Sequence, residues 1–292
     1  MRFFSTAAAR RSRNVAVEYG RLLAHPRHIC GYWWHGTPNF GDVLSPLVLR
    51  WISGCAVLNI EDLPRYRGPV YLTIGSILDG VAIKNAVIWG SGFISSQGRM
   101  ATEPRQVLAV RGPLTRQNLL DQGVKCPEVY GDPGLLVRRM FDPTLSREFE
   151  YGVVPHFKDK GLIPPLLVRN EDVNLIDVQS KPAEFIRELC RCKRILSSSL
   201  HGLITADAFG IPSAQFSLSD RISGGGSFKF MDYYESVGRE PVPPFDLTKM
   251  KSIEEAEDHL VLTDVEPTIR ALLDANPFPP RDRPGLERPA IC

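Results

Sequence analysis

The sequence contains no apolar run of the roughly 20 residues that a helix needs to cross a bilayer. It also lacks a strong charge of one sign, because 35 Lys and Arg residues and 33 Asp and Glu residues leave a net charge of +2. So small an excess excludes a general nucleic-acid-binding surface and leaves local basic sites for a small anion. With 43% hydrophobic and 23% charged residues, the composition is that of a folded globular protein.

Cysteine pairs of the CxxC type are also absent. The six cysteines are scattered, apart from one CxC sequence: Cys30, Cys55, Cys126, Cys190, Cys192 and Cys292. Because no second pair completes a zinc ligand set, we predict free, buried thiols in a reducing cytoplasm, no metal site and no cofactor.

The first 27 residues are rich in arginine and poor in acid. They contain six arginines, and Glu18 is their only acidic residue. The apolar core of a secretory signal is missing. Three interpretations stay open for residues 1–27: a surface helix, an organelle transit peptide, or an interfacial helix that contacts anionic lipid.

Strand-like and helix-like runs alternate along the chain, which predicts parallel, doubly wound α/β structure. Strands of the first half are predicted at residues 29–34, 70–74, 86–89 and 107–110. After a break near residues 141–149 the alternation restarts, with strands at 151–155, 174–177, 194–198 and 211–217. We therefore predict two Rossmann-like domains facing each other across a cleft, residues 28–148 and 149–240. A connector, a C-terminal helix within 253–275 and a tail would occupy residues 241–292.

The turn at residues 197–202 is the strongest candidate for a functional site. It follows a predicted strand, at the sheet edge where ligands of open α/β folds bind. It places His201 and the hydroxyl of Ser199 at the start of an apolar helix that Gly210 closes. A helix N-terminus favours anions, and a histidine there can donate to a phosphate or transfer a proton near neutral pH. The alternative is a turn that only caps the helix.

Two basic residues are candidates for binding an anion. Arg111 follows a strand and precedes Gly-Pro, where its planar guanidinium could hold a phosphate or a carboxylate. A surface ion pair is the alternative. Lys229 follows a glycine-rich stretch at 224–226, which we interpret as a mobile lid with a cationic tip or, alternatively, as a plain flexible loop.

Weaker candidates lie in other turns. Asn39 and Asp42 precede a predicted helix at 43–53, where Asp42 could cap the helix or hold a sugar hydroxyl. Ser91 and Gly92 could bring the backbone near a ligand, or simply form a tight turn.

Three further polar residues are less specific. His156 and Asp159 follow a predicted strand of the second half and would line the cleft only if that strand ends there. Asp132 lies between Gly131 and Pro133, where a turn-forming role is the default interpretation.

Taken together and in order, these turns resemble the polysaccharide pyruvyl transferase family, and most closely its bacterial exopolysaccharide members. The similarity runs from about residue 31 to residue 238. It is carried by residues 39–42, Gly90-Ser91-Gly92, Arg111-Gly112-Pro113, Gly131-Asp132-Pro133, residues 199–202, and Lys229 with Val237-Gly238 after it. Each motif alone is unspecific, whereas the ordered set is fairly specific.

The resemblance implies a GT-B-like fold, phosphoenolpyruvate as donor and co-substrate, and a saccharide acceptor, free or lipid-linked, on which a pyruvate ketal forms. The implied catalytic residues are His201, Arg111 and Asp42. The donor would be bound by Arg111, Ser199, Leu200, His201, Lys229, Ser91 and Gly92, and the acceptor by Asn39, Asp42 and His156. Some members carry an arginine where this chain has Ser199, whose hydroxyl binds phosphate more weakly.

A cytoplasmic enzyme is expected, with or without peripheral contact at the inner face of the membrane. Two alternatives remain at this stage. One is a nucleotide-sugar-dependent GT-B glycosyltransferase, for which no residue placed to bind ribose and base is recognised. The other is a non-catalytic sugar- or anion-binding protein of the same fold, which the serine at position 199 favours.

Overall fold

The computed structural model describes residues 20, 27–34, 36–37, 39–63, 65–218 and 226–278. Two parallel five-stranded sheets with flanking helices confirm the α/β class. The first sheet has the order β2-β1-β3-β4-β5. Its strands are β1 (His28–Tyr32), β2 (Ala56–Asn59), β3 (Val70–Leu72), β4 (Ala86–Trp89) and β5 (Gln106–Ala109). Strand β2 was not predicted from the sequence.

The second sheet has the order β10-β9-β8-β6-β7. Its strands are β6 (Phe149–Val154), β7 (Val173–Leu175), β8 (Cys192–Ser197), β9 (Ser213–Ser217) and β10 (Phe245–Asp246). The segment predicted as a plain connector contains β10, which pairs in parallel with β9 and so extends this sheet. The predicted domain boundaries themselves stay a prediction.

Helices connect the strands. The α-helices are α1 (Phe40–Ser53), α2 (Pro113–Leu120), α3 (Val137–Met140), α4 (Pro165–Val168), α5 (Pro182–Cys190), α6 (Leu200–Ala208), α7 (Gly226–Ser236) and α8 (Glu266–Asp274). Short 3₁₀ helices cover Ile60–Asp62, Pro133–Leu136, Lys160–Leu162 and Ile253–His259. The continuous C-terminal helix predicted within 253–275 is therefore wrong: a 3₁₀ helix and α8 are separated by six residues.

One hydrophobic cluster joins the two sheets. It contains Trp89 at the end of β4 together with Ile195 of β8 and Leu203 of α6. The Phe40 ring of α1 stacks on the Phe185 ring of α5, with ring centroids 4.1 Å apart. Because these residues come from both halves, burial of their apolar surface holds the carboxyl ends of both sheets in place.

Some predictions concern residues that the structure does not describe, namely those on residues 1–19 and 21–26, on the start of the glycine-rich stretch at 224–225, and on the tail beyond 278. No helix in the described part of the chain is long and apolar enough to span a membrane. Five cysteines are described as free thiols, and all but Cys55 are buried.

Candidate active site

A cavity of about 380 Å³ lies at the carboxyl ends of strands from both sheets. Most of the predicted ligand-binding residues line it. These are Asn39, Asp42, His156, Ser199, Leu200, His201 and Lys229. The cavity therefore unites residues that are up to 190 positions apart in the sequence, and three of the predicted residues, Arg111, Ser91 and Gly92, are not in its lining.

The N-terminus of α6 faces the cavity. Strand β8 ends at Ser197, whose hydroxyl donates to the Ser199 carbonyl (2.8 Å) and accepts from the Ser199 amide (3.0 Å). These bonds fix the turn that leads into α6. Ser199 occupies the N-cap position, but its side chain makes no capping hydrogen bond. The alternative of a purely capping serine is thus not what the structure shows for Ser199. Ser199, Leu200 and His201 line the cavity at this helix N-terminus, where an anion is favoured.

His201 lies in the first turn of α6, with its side chain only 13% exposed. Its ring packs against Gly41 of α1 so closely that a Cβ atom at Gly41 would be 2.1 Å from Nδ1. Its Nε2 atom is buried without a hydrogen-bond partner among the described residues. Nε2 is 3.8 Å from the Oδ2 atom of the fully buried Asp132. The imidazole is therefore held between helix α1 and a carboxyl group.

The surroundings of His201 disfavour a charged imidazole. Burial, together with the positive charges of Lys229 and Arg111, lowers the pKa of His201 to about 3. Burial likewise lowers the pKa of Lys229 to about 8, with Arg111 and Lys158 contributing and Asp42 opposing. Because positive charges dominate this environment, a bound anion would raise both pKa values and favour protonation of His201.

Lys229 belongs to the first turn of α7, a helix of 11 residues. The prediction of a lysine on a mobile loop is therefore wrong for this residue, because α7 is anchored to the first sheet through Asp232. The Asp232 carboxylate accepts from the amide of Thr115 (2.8 Å) and from its hydroxyl (2.6 Å) at the start of α2. Lys229 thus projects into the cavity from a fixed helix.

Arg111 lies behind the cavity wall, which corrects the expectation of a guanidinium that points into the cleft. It is fully buried. Its Nε donates to the Asp232 carboxylate at 2.9 Å, and its terminal nitrogens donate to the Ser76 hydroxyl (2.7 Å) and to the Phe93 carbonyl (2.6 Å). The surface ion pair considered as the alternative is also wrong, since the pair is buried. Direct contact of Arg111 with a ligand stays a prediction.

The glycine turn after β4 serves packing in this structure. A Cβ atom at Gly92 would be 2.6 Å from the guanidinium carbon of Arg111, so only glycine leaves room for that side chain. Ser91 is buried, and its hydroxyl donates to the Leu72 carbonyl at 3.3 Å. Ser91 and Gly92 therefore support the wall of the cavity and are not part of its lining, and their contact with a donor stays a prediction.

Asn39 and Asp42 occupy the N-terminus of α1. Asn39 is the N-cap residue and accepts from the Asp42 amide, so the helix begins at Phe40 and Asp42 is not its cap. The Asn39 amide also donates to the Asp42 carboxylate at 2.5 Å. Burial raises the pKa of Asp42, and the hydrogen bond from Asn39 and the charge of Lys229 offset part of this rise. The resulting pKa is about 6. A carboxyl group with this pKa can exchange a proton near neutral pH.

His156 follows β6 and lines the cavity opposite α1. Its amide donates to the Ser198 hydroxyl at 2.8 Å, and its Nδ1 accepts from the Lys158 amide at 3.3 Å. Burial lowers its pKa to about 4, with Lys229 and Lys158 adding to the effect. Asp159 is buried but is not part of the lining, so only His156 of the predicted pair lines the cavity.

Several residues that line the cavity were not predicted from the sequence, among them Tyr32, Trp34, Ser76 and Asp79. Trp34 is 51% exposed two residues after the end of β1, and an aromatic residue just after a strand is a signal that could have indicated it. Asp79 accepts from the Ile94 amide at 2.7 Å, a contact between two loops that the sequence does not indicate. Within the described residues, no group of three or more His, Cys, Asp or Glu side chains could hold a metal ion.

An α/β fold whose strand ends converge on a polar cavity, with a helix N-terminus, a lysine and a histidine in its wall, defines a site for a small anion. Comparison with known proteins gives the family. Residues 39–219 match the sequence profile of the family Polysaccharide pyruvyl transferase. The chain belongs to the polysaccharide pyruvyl transferase family, which confirms the resemblance seen in its turns and makes it, by class, an enzyme of pyruvyl transfer to polysaccharide.

The chain is also similar to two individual proteins. The chain is 28% identical over 225 residues to Uncharacterized protein L143 of Acanthamoeba polyphaga mimivirus, covering 75% of this chain and 78% of the relative. It is 28% identical over 216 residues to Succinoglycan biosynthesis protein ExoV of Rhizobium meliloti (strain 1021). That match covers 71% of this chain and 64% of the relative's length.

Proposed function

We propose that this protein transfers the pyruvyl group of phosphoenolpyruvate to two hydroxyls of a saccharide and forms a pyruvate ketal. The observation that carries the proposal is the convergence of Lys229, His201 and the N-terminus of α6 on one cavity within the family's matched region. Phosphoenolpyruvate carries a carboxylate and a phosphate, so a cationic pocket offsets its charge. The proposed arrangement is GT-B-like, with the donor held at the carboxyl ends of the strands.

The donor phosphate would bind at the N-terminus of α6. Leu200 and His201 supply amide groups there, Ser199 supplies a hydroxyl, and Lys229 supplies a positive charge. Helix N-termini and lysine are common phosphate ligands in proteins. Arg111 would act at longer range from behind the wall, where its pairing with Asp232 reduces its net field.

His201 would act as the general acid. Its proton would pass to the methylene carbon of phosphoenolpyruvate, which becomes the methyl group of the ketal, and C2 becomes electrophilic. One sugar hydroxyl adds to C2 and returns a proton to His201. The second hydroxyl attacks C2 and closes the ring as the bond between C2 and the bridging phosphate oxygen breaks, and the hydroxyl proton leaves with hydrogen phosphate. Asp42, whose pKa burial raises to about 6, would relay a hydroxyl proton during these additions.

The acceptor sugar would bind between Asn39, Asp42 and His156, below the exposed Trp34 ring. A cavity of about 380 Å³ suits the donor and one hexose unit, so the rest of the glycan, free or lipid-linked, would extend past Trp34 into solvent. Replacing Trp34 by Ala should raise KM for the acceptor about tenfold and leave KM for phosphoenolpyruvate within threefold. A Trp34→Phe variant should retain most of the affinity, and an unchanged acceptor KM in Trp34→Ala would refute this placement.

Release of phosphate from phosphoenolpyruvate in the presence of candidate glycans tests the proposal. We expect phosphate release only when a suitable saccharide is present. Because we predict a reaction without a metal ion, a chelator should leave this release unchanged. Running the reaction in D₂O should place one deuterium in the ketal methyl group, since that carbon gains a solvent-derived proton.

A thermal-shift comparison separates the alternatives. Stabilisation by phosphoenolpyruvate supports the proposal. Stabilisation by sugar nucleotides alone would favour a glycosyltransferase. Binding without acceptor-dependent phosphate release would favour a non-catalytic sugar- or anion-binding protein. Cytoplasmic location and contact with anionic membrane are part of the same proposal, and flotation with anionic liposomes tests the latter.

A further inference from the structure

Asp132 is a buried carboxyl group without a role in the chemistry described so far. It lies in the turn after the parallel bridge between Val110 and Tyr130, and its side chain is fully buried. One oxygen, Oδ1, accepts from the Gly134 amide at 2.8 Å and caps a 3₁₀ helix. The other oxygen, Oδ2, has no hydrogen-bond partner among the described residues. Capping uses only one side-chain oxygen, and an asparagine at this position could supply that oxygen without burying an ionisable group.

The unpartnered oxygen faces an unpartnered nitrogen. Oδ2 of Asp132 lies 3.8 Å from Nε2 of His201, and both atoms are buried. A hydrogen bond of about 3 Å forms once either side chain moves by less than about 1 Å. The opposite edge of the imidazole, with Nδ1, packs against Gly41 of α1. Asn39 and Asp42, on either side of Gly41, line the cavity, as His201 does itself. The ring therefore has a carboxyl group on one side and the cavity-bordering first turn of α1 on the other.

The charges around this pair respond to a ligand. His201 experiences the positive charges of Lys229 and Arg111, and Asp132 experiences Arg111 and the negative charge of Asp232. Burial raises the pKa of Asp132 to about 7 and, with these positive charges, lowers that of His201 to about 3, so the surroundings favour two neutral groups. A dianionic donor beside Lys229 would offset the positive charges and favour an imidazolium paired with a carboxylate.

We propose that Asp132 is the positioning residue of His201: it accepts the Nε2–H bond, fixes the tautomer, and stabilises the imidazolium formed when the donor anion binds. This inference rests on the proposed function. On donor binding, the proton of the Asp132 carboxyl group moves to Nε2, and the imidazolium then gives its Nδ1 proton to the methylene carbon. His201 regains that proton from the first sugar hydroxyl, while Asp132 stays ionised until phosphate leaves and the pair resets.

The variant Asp132→Asn tests this directly. Asparagine keeps an oxygen for the Gly134 amide but presents an amino group to Nε2, so Nε2 must stay unprotonated. We expect kcat to fall about 100-fold or more, which is the size of effect expected when general acid catalysis is lost. KM for phosphoenolpyruvate should stay within threefold of the wild-type value. In ¹⁵N-histidine NMR with phosphoenolpyruvate or inorganic phosphate, wild-type His201 should show two protonated nitrogens and the variant only one. His201→Gln assigns the signal.

Asp207→Asn is the matched control. Asp207 is a second fully buried carboxyl group, six residues after His201 on α6, but it accepts from the Tyr233 hydroxyl at 2.8 Å and faces Arg239, away from the cavity. This variant should lose stability and keep both the His201 signal and the pH profile of kcat.

An Asp132→Asn variant with kcat within threefold of wild type would overturn the inference. So would lost activity with an unchanged His201 signal, because that marks a purely structural role. The NMR arm with inorganic phosphate does not depend on turnover. A wild type without pyruvyl transfer would therefore refute the proposed function, while the NMR result would still decide the Asp132–His201 interaction.

Discussion

Replacing Gly41 by Ala tests whether the position of His201 controls activity. The new Cβ atom would be 2.1 Å from Nδ1, 2.3 Å from Cε1 and 2.6 Å from Cγ of the imidazole. Ordinary contacts are about 3.5 Å or longer, so the ring must move by more than about 1 Å. A displacement of this size typically costs about 100-fold in rate. We expect kcat/KM of Gly41→Ala to fall by about that factor.

The cost in stability should be smaller than the cost in rate. Forcing an extra methyl group into packed surroundings costs about 1–3 kcal/mol, and alanine recovers up to about 1 kcal/mol of helix propensity in α1. The net loss in unfolding free energy should therefore be about 0–2 kcal/mol, measured by urea unfolding next to phosphate-release kinetics.

Gly161→Ala is the control for this substitution, because a Cβ atom at Gly161 meets nothing within 4 Å. This variant should keep wild-type activity. A folded Gly41→Ala variant with kcat/KM within threefold of wild type would refute the reasoning, since it would show that His201 can be displaced without consequence.

Three further predictions follow from the charges in and behind the cavity. Lys229→Met should raise KM for phosphoenolpyruvate about 10- to 100-fold, because a charge-assisted hydrogen bond to the donor is lost. Lys229→Arg should restore part of the affinity, and an unchanged KM of Lys229→Met in initial-rate kinetics would contradict donor binding by this lysine. Asp232→Ala leaves Arg111 buried without its carboxylate and should cost about 3–5 kcal/mol in urea unfolding, whereas a loss below 1 kcal/mol would disprove the importance of the pair. Burial raises the folded-state pKa of Asp132 from 3.8 to about 7, so the folded state retains this proton across that window. Wild type should therefore lose stability relative to Asp132→Asn as the pH rises from 4 to 8, and a constant difference in Tm would contradict the buried, protonated carboxyl group.

Local sequence signals predicted the parts of the site that depend on neighbouring residues. The strand, hydroxyl-rich turn and helix around His201 follow one another directly, and Gly210 adopts the left-handed φ of 62° expected after a helix end. The N-terminus of α1 was located within a few residues, although the cap is Asn39 and not Asp42. These features depend on contacts between residues that are only a few positions apart, and the residue types that make such local contacts can be recognised in the sequence.

Contacts between distant residues decided the rest. The sequence could not show that Arg111 pairs with Asp232, 121 positions away, and so lies behind the wall. The same pair anchors α7, which is why Lys229 is helical despite the glycines before it. The role of Asp132 was also hidden, because a turn aspartate becomes notable only when His201 is placed beside its second oxygen.

Mass spectrometry of glycans incubated with phosphoenolpyruvate and this protein tests the central claim most directly. The account predicts a gain of about 70 Da per modified sugar, the mass of pyruvate less one water, and no gain with His201→Ala under the same conditions. An unmodified glycan across a panel of acidic and neutral polysaccharides, or the same gain with a folded His201→Ala variant, would contradict it.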